Sequence, residues 1–345
     1  MDKFEISIVV IGKNEILHIR KCLQAVIDAV VGMDAEIVYV DSGSTDGTVK
    51  AACEYDITVL QLRPEQPPSP AAGRYIGTLH TQHKFILFID GDALVSRAWL
   101  LKALEYIAIH PETGAVGGPI RILRESVDGK IVRQVLIGLD QDFVEVNTLS
   151  GPIGLYRRQA LDEAGHWNPY LRAQEEWELD ERVQKAGFNL VKLSTLSGDH
   201  FVPIARILSE FLRLRKRGFF DSYGQIFRLC GSWQRMWRFF TESLLKAAIF
   251  VVFVLALVAS AVTGGIRGGG IWWLVGPLAF LSIAEVYFTV RTKSLFGLLV
   301  FIIVQFYVLW RMPVAFFKYK PGKISDYPIN PIVIQKAAIA EEGAK

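Results

Sequence analysis

Within its first ninety residues the chain alternates four short apolar runs with helical patterns, and that rhythm sharply limits the folds open to it. ISIVVI (6–11), EIVYV (36–40), ITVLQL (57–62) and FILFI (85–89) each read as a strand, the first one β-branched enough to be buried on both faces. Ile16, Ile19, Leu23, Val26, Ile27 and Val30 recur at helical spacing after the first run. A second helix is expected from a cap at Thr45 or Asp46 through about Tyr55, and a third around Arg74–Thr81, beyond the proline-rich RPEQPPSPAAG. Strand and helix in alternation predict an α/β fold with a mostly parallel, doubly wound sheet. Ligands of such sheets bind beyond the carboxyl ends of the strands. GKNE, DSGSTDGT and DGD all fall at those ends.

Composition narrows the class. A formal net charge of +3 over 345 residues is too small to suggest a nucleic-acid binder, and Cys22, Cys53 and Cys230 lack metal-type spacing, which suggests a reducing compartment. MDKFEISIVV has neither the basic region nor the apolar length of a signal peptide, so the first domain is expected to stay in the cytoplasm. Beyond about residue 240 come three apolar runs, Leu244–Val262, Ile271–Val290 and Leu295–Phe317. Each is about long enough for a hydrocarbon core roughly 30 Å thick. The first two, joined by TGGIRGGG, read as a transmembrane hairpin. Arg311, Lys318, Lys320 and Lys323 favour a cytoplasmic tail, which leaves two or three spans. Glu285 in the second run is expected to snorkel or pair with Arg291. Between the halves, Pro203–Lys246 holds nine Lys/Arg against three acids, interleaved with Phe and Trp. That mixture suits amphipathic helices on an anionic leaflet. The expected domains are 1–202 (catalytic), 203–243 (interfacial helices), 244–320 (transmembrane) and a tail at 321–345.

FILFIDGDALV carries the sharpest chemical signal. Asp90 and Asp92 flank Gly91 at the end of a buried run, and carboxylates sharing one crevice repel unless a cation or donors neutralise them. A Mg²⁺ or Mn²⁺ ion would do so and complete its shell with substrate phosphates. Asp41, at another strand tip, reads either as part of a polar turn with a helix cap or as an acceptor of hydrogen bonds from a nucleotide base. Glu175 and Glu176 open a helix whose apolar face is Leu179, Val183 and Ala186, and they read either as first-turn acids that favour the helix dipole or as a carboxylate base.

Taken in order, SIVVIGKNE, VDSGSTDGT, SPAAGRYIG, FIDGDALV, SGPIGLYRRQALDEAG and QEEWELDERVQKAG resemble the family 2 glycosyltransferases over about residues 4–200. The resemblance implies a Rossmann-like GT-A fold and inverting transfer from a nucleotide-diphosphate sugar, UDP-linked or similar. It implies nucleotide contacts from Asn14, Glu15 and Asp41, with Arg74 near the diphosphate. Asp90 would face ribose and metal, Asp92 would be the principal metal ligand, and His200 a third ligand or an interface residue. Glu176 falls where the family has an aspartate base, with Glu175 next in line, and Tyr75 replaces a common asparagine. Gln234-Arg-Met-Trp237 and Gln225-Ile-Phe-Arg228 only approximate the Q-x-x-R-W of polymer-extending members, which favours single-sugar transfer. The expected acceptor is lipid-linked, at a plasma membrane that the chain crosses several times; oligomeric state is left open. A processive synthase and a silent membrane scaffold are the alternatives.

Overall fold

The computed structural model describes residues 4–126, 130–137, 143–149, 151–204, 207–245, 248, 251, 255, 259, 262 and 295–338. The chain divides into two compact units, Met1–Ile204 with Gly322–Lys345, and Ala205–Pro321.

The first unit is built on β1 (Glu5–Gly12), β2 (Asp34–Asp41), β3 (Thr58–Gln61) and β4 (Phe85–Asp90), the four runs expected as strands. They lie parallel, with β1 between β2 and β4, so that Gly12 pairs Asp41 and Ile11 pairs Asp90. Register therefore gathers three polar loops at one edge. The helices are α1 (Ile19–Ala29), α2 (Thr48–Ala52) and α3 (Pro70–Leu79). α3 begins a turn before the expected Arg74, because Ser69 caps it by accepting from Ala72 N at 3.0 Å and Pro70 supplies a first residue that needs no donor. α2 is not capped by Thr45 or Asp46. Gly47, in the left-handed region at φ 92°, takes the cap position, and Asp46 instead accepts from Thr48 N and Ile16 N.

The chain then runs through β5 (Ala93–Val95), α4 (Arg97–Ile109), β6 (Thr113–Gly117), β7 (Ile120–Glu125), β8 (Ile131–Ile137) and β9 (Phe143–Glu145). It continues with β10 (Ile153–Arg157), α5 (Arg158–Ala164), α6 (Glu175–Lys185), β11 (Asn189–Leu193) and β12 (Gly198–Pro203). β10 inserts antiparallel between β4 and β6, so the sheet is mixed on that side. A second sheet, β5-β12-β7-β8, pairs His200 with Ala93 and thereby brings β12 beside the DGD turn. Two apolar layers cover the main sheet. Ile8, Val10, Leu23 and Trp99 lie on one side, and Val9, Ile76, Phe88 and Trp167 on the other. α3 approaches β1 so closely that a Cβ on Gly77 would sit 2.2 Å from Val9 Cγ1.

The C-terminal segment belongs to this unit. A turn of 3₁₀ helix (Ile324–Asp326) leads to β13 (Ile332–Gln335), which pairs antiparallel with β3 and becomes the outermost strand of the nine-stranded sheet.

The second unit contains α7 (Ile207–Arg217), α8 (Asp221–Leu229), α9 (Trp233–Phe239), a π-helical turn (Phe240–Leu244) and α10 (Leu295–Lys318). Gly224 lets α8 lie against α10, since a Cβ there would meet Met312 O at 2.3 Å, and Asp221 pairs with Arg311 at 2.5 Å. Leu208, Leu212, Trp233 and Trp237 are exposed on α7 and α9 among basic residues. Among the described residues no helix is long and apolar enough to cross a membrane, so the two or three expected spans are without support from the structure. Ile271–Val290, with Glu285, and most of Leu244–Val262 lie outside the described residues. The third run forms α10, which includes Gln305, Arg311 and Pro313.

Candidate active site

Arg74 is the hub of the crevice at the ends of β1, β2 and β4. It projects from α3 and is only 3% exposed. Its Nη1 donates to Glu175 Oε1 at 2.7 Å, and its Nη2 donates to Asp90 Oδ1 at 2.9 Å. Glu176 Oε1 lies 3.4 Å from Nη2, and the guanidinium stands 5.0 Å from the centroid of the Trp167 ring. One cation thus holds three carboxylates drawn from two distant stretches of sequence. Burial, then repulsion from Glu175, pushes Glu176 up to about 8 against the pull of Arg74. Burial likewise raises Asp90 to about 6, with Arg74 opposing and Asp92 reinforcing the rise.

Glu176 lines a recess with Arg74, Phe88, Leu149, Gly151, Tyr156 and Trp167. The recess is shaped by Asp180, which lies one turn further along α6 and is fully buried. Its carboxylate accepts from Leu149 N (2.7 Å), Thr148 Oγ1 (3.0 Å) and Tyr156 OH (3.1 Å). Burial nevertheless raises its pKa to about 6. Sequence reasoning missed this residue. The signal available was an acid beside Leu179 on the inward face of an otherwise amphipathic helix.

Asp92 lies on the other side of Gly91, where a Cβ would approach Ile11 O to 3.2 Å. Its Oδ1 is 3.3 Å from His200 Nε2. Burial opposes charge on His200, but the hydrogen bond to Asp92 and the charges of Asp92 and Asp90 outweigh it and raise the pKa. Among the described residues no cluster of three or more His, Cys, Asp or Glu forms a metal cage. The donor set fits a divalent ion differently: a carboxylate and an imidazole face each other beside a second carboxylate, leaving most positions for phosphate and water.

The remaining expected residues form a braced pair of loops. Asn14, at φ 61°, accepts from Thr45 N at 2.8 Å, and its own N–H donates to Ser44 Oγ at 2.8 Å. Glu15 N donates to Thr48 Oγ1 at 2.8 Å. Asp41 is fully buried and accepts from Gly43 N, Ser44 N, Gln61 Nε2, Tyr39 OH and Ser44 Oγ. Its carboxylate organises the loop, and a nucleotide base would have to replace one of these donors. The non-glycine residues with positive φ among those described are Asn14, His166 and Gln174. Gln174 turns the chain into α6 directly before Glu175. Strain of this kind persists where surrounding structure enforces it.

The mixed α/β sheet, with an acid-rich, cation-bridged crevice at its strand ends, has a GT-A-like fold. Residues 7–165 match the model of "Glycosyl transferase family 2". Poly-beta-1,6-N-acetyl-D-glucosamine synthase of Staphylococcus epidermidis is 25% identical over 147 residues, 39% of this chain and 35% of its own length. The chain thus spans about a third of the curated relatives it matches. Among solved structures, the mannosyltransferase PcManGT from Pyrobaculum calidifontis, in complex with GDP-Man and Mn²⁺, aligns at a TM-score of 0.61 and 16% identity. The alignment covers 92% of this chain and 88% of that one, a likeness of fold.

Proposed function

We propose that the chain is a metal-dependent, inverting glycosyltransferase that moves a sugar from a nucleotide-diphosphate donor to a lipid-linked acceptor. The observation that carries this reading is the Arg74 crevice, where Asp90, Glu175 and Glu176 converge beside the Asp92–His200 pair. In it, Asn14, Glu15 and Asp41 receive the nucleotide, and Asp90 faces the ribose. Asp92 and His200, beside Asp90, would hold Mg²⁺ or Mn²⁺, and that ion would supply charge neutralisation to a departing diphosphate. Support for a metal and a nucleotide-sugar comes from the fold neighbour solved with GDP-Man and Mn²⁺.

Glu176 is the base that takes the acceptor hydroxyl proton. Its raised pKa suits the role, because a carboxylate titrating near 8 accepts a proton more readily than an ordinary one. Glu175, 5% exposed and tied to Arg74, is better placed to orient Arg74 than to reach an acceptor. Trp167 and Tyr156 wall the recess for a sugar ring. A polyprenyl phosphate or polyprenyl-diphosphate saccharide is the proposed acceptor, for cell-envelope polysaccharide or glycolipid assembly at the cytoplasmic face of the plasma membrane. This is supported by exposed Trp233, Trp237, Leu208 and Leu212 among the basic residues of α7 and α9. A processive synthase is the second reading, favoured by the polymer-making name of the curated relative.

The test is transfer from a panel of UDP- and GDP-sugars to polyprenyl phosphates, with the anomeric configuration of the product read by NMR. An α-linked donor should give a β-linked product carrying one sugar. Retention of configuration would overturn the inverting mechanism, and a ladder of lengths would favour the synthase.

A further inference from the structure

The segment after Gly322 does more than close a sheet edge. Tyr327 is 2% exposed, and its ring packs edge-on against two others: Tyr75 at 6.1 Å and Tyr170 at 5.5 Å between centroids. Tyr75 follows Arg74 on α3. Tyr170 lies five residues before Glu175, on the stretch that carries Gln174 and Glu176 into the crevice. Tyr75 continues the contact to His166 at 6.0 Å, and the next residue, Trp167, carries the Arg74 guanidinium over its ring. An aromatic chain, Tyr170–Tyr327–Tyr75–His166, therefore runs behind both arms of the Arg74–Glu175 couple.

Polar contacts clamp the same region. Tyr327 OH donates to Pro67 O at 3.1 Å, buried Gln66 donates through Nε2 to Pro328 O at 2.5 Å, and Arg63 Nε donates to Asn330 O at 2.9 Å. Ser69, the cap of α3, donates to Pro169 O at 2.9 Å and so ties that helix to the 166–174 stretch. Gly322 packs flat on Tyr170, where a Cβ would lie 2.7 Å from the ring. The far end of the segment is separately anchored: Gln335 Nε2 donates to Tyr55 O (2.7 Å) and Ile57 O (3.0 Å) beside β3.

We propose that residues 322–338 form a strap in which Tyr327 is a positioning residue, wedging α3 against the 166–174 stretch so that Arg74 and Glu176 meet in reactive geometry. The proposal rests on the transferase reading and gives Tyr75 a role: it is the face the wedge presses on. A rival account makes the strap a plain edge cover for β3. The two differ in which residue matters, since edge cover depends on β13 and Gln335 whereas positioning depends on the Tyr327 ring.

The experiment compares full-length Tyr327→Ala, Tyr327→Phe and Gln335→Ala with wild type and Glu176→Gln. Turnover is measured well below each melting temperature, alongside hydrogen exchange of the peptides covering 70–79 and 166–176. Tyr327→Ala should lose about 10- to 100-fold in kcat, the scale of an ångström-sized misplacement of reacting groups. Its KM should change less than kcat, and exchange in both peptides should speed at least about tenfold. Tyr327→Phe, which keeps the wedge, should restore kcat to within about threefold. Gln335→Ala should lose stability and keep kcat. Unchanged kcat or unchanged exchange in Tyr327→Ala overturns the proposal, as does an equal loss of kcat in Gln335→Ala. If Tyr327→Ala does not fold, Tyr327→Leu is judged by the same criteria. Wild-type turnover in Glu176→Gln would sink the transferase site instead, and the exchange data judge the strap independently of it.

Discussion

Removing the Arg74 charge gives the most exacting physical prediction. Arg74→Met keeps much of the buried stem and deletes the cation that faces Glu175 at 2.7 Å, with both side chains about 5% exposed or less. Breaking a buried pair from one side typically costs about 3–5 kcal/mol, because the abandoned charge stays desolvated. The pH dependence follows from the acids that remain. Glu176 and Asp90 already have folded pKa values above those of free carboxylates, about 8 and about 6, with Arg74 as the force holding each down. Without it both rise further. An acid whose folded pKa is raised is stabilising while protonated and loses that contribution as pH climbs through the folded value. The penalty should therefore be smaller near pH 5, where Glu176 and Asp90 are protonated in wild type and variant alike and the Glu175 contact is the part still lost. It should grow to about 3–5 kcal/mol by pH 8.5. Urea denaturation of the two proteins at pH 5 and 8.5 measures this, and Arg74→Met/Glu175→Gln should recover part of the loss at the higher pH. A penalty below about 1 kcal/mol at both pH values, or one larger at pH 5, would refute the idea that Arg74 neutralises a buried acid cluster.

Three further outcomes are expected. Glu176→Gln should lower kcat by about 10²–10⁴ with nucleotide-sugar binding retained, and the acid limb of wild-type kcat/KM should lie above the ordinary carboxylate range, toward 8; a limb near 4 would argue for another base. Gly77→Ala should destabilise by about 1–3 kcal/mol in thermal unfolding, since its Cβ has Val9 Cγ1 2.2 Å away and no room to relax. Trp233→Ala/Trp237→Ala should weaken sedimentation with anionic vesicles several-fold and leave binding to neutral vesicles little changed from its low level; equal binding by variant and wild type would remove these side chains from the membrane contact.

What could be read beforehand depended on how local its cause is. β1, β2, β3 and β4 were legible because each buries a continuous apolar run, and the DGD turn was legible because such a run drives straight into it. The start of α3 was misjudged by a turn, although Ser69-Pro70 is a cap signal that sequence alone displays. β10 and β13 were hidden for a different reason: their partners, β4 and β3, are some 70 and 270 residues away, and no local pattern encodes an antiparallel insertion or an added edge. In the crevice, residue types singled out Asp90, Asp92 and Glu176 as candidates. They did not show that Arg74 spends its guanidinium on Asp90 and Glu175, or that Asp180 holds the Leu149 loop, because these contacts join separate elements 16, 101 and 31 positions apart. Tyr327 was invisible for the same reason, lying beyond the second unit in sequence and against α3 in space.

The central claim is that the Arg74 crevice and the Asp92–His200 pair act together on a nucleotide-sugar. Release of nucleoside diphosphate from a donor panel, with acceptor lipid and with or without Mn²⁺, tests it most directly in wild type, Asp92→Ala and Glu176→Gln. The account predicts Mn²⁺-dependent release from one donor by wild type, and release reduced at least a hundredfold in both variants. Release at the wild-type rate by both variants, or release indifferent to Mn²⁺ and chelator, would contradict it.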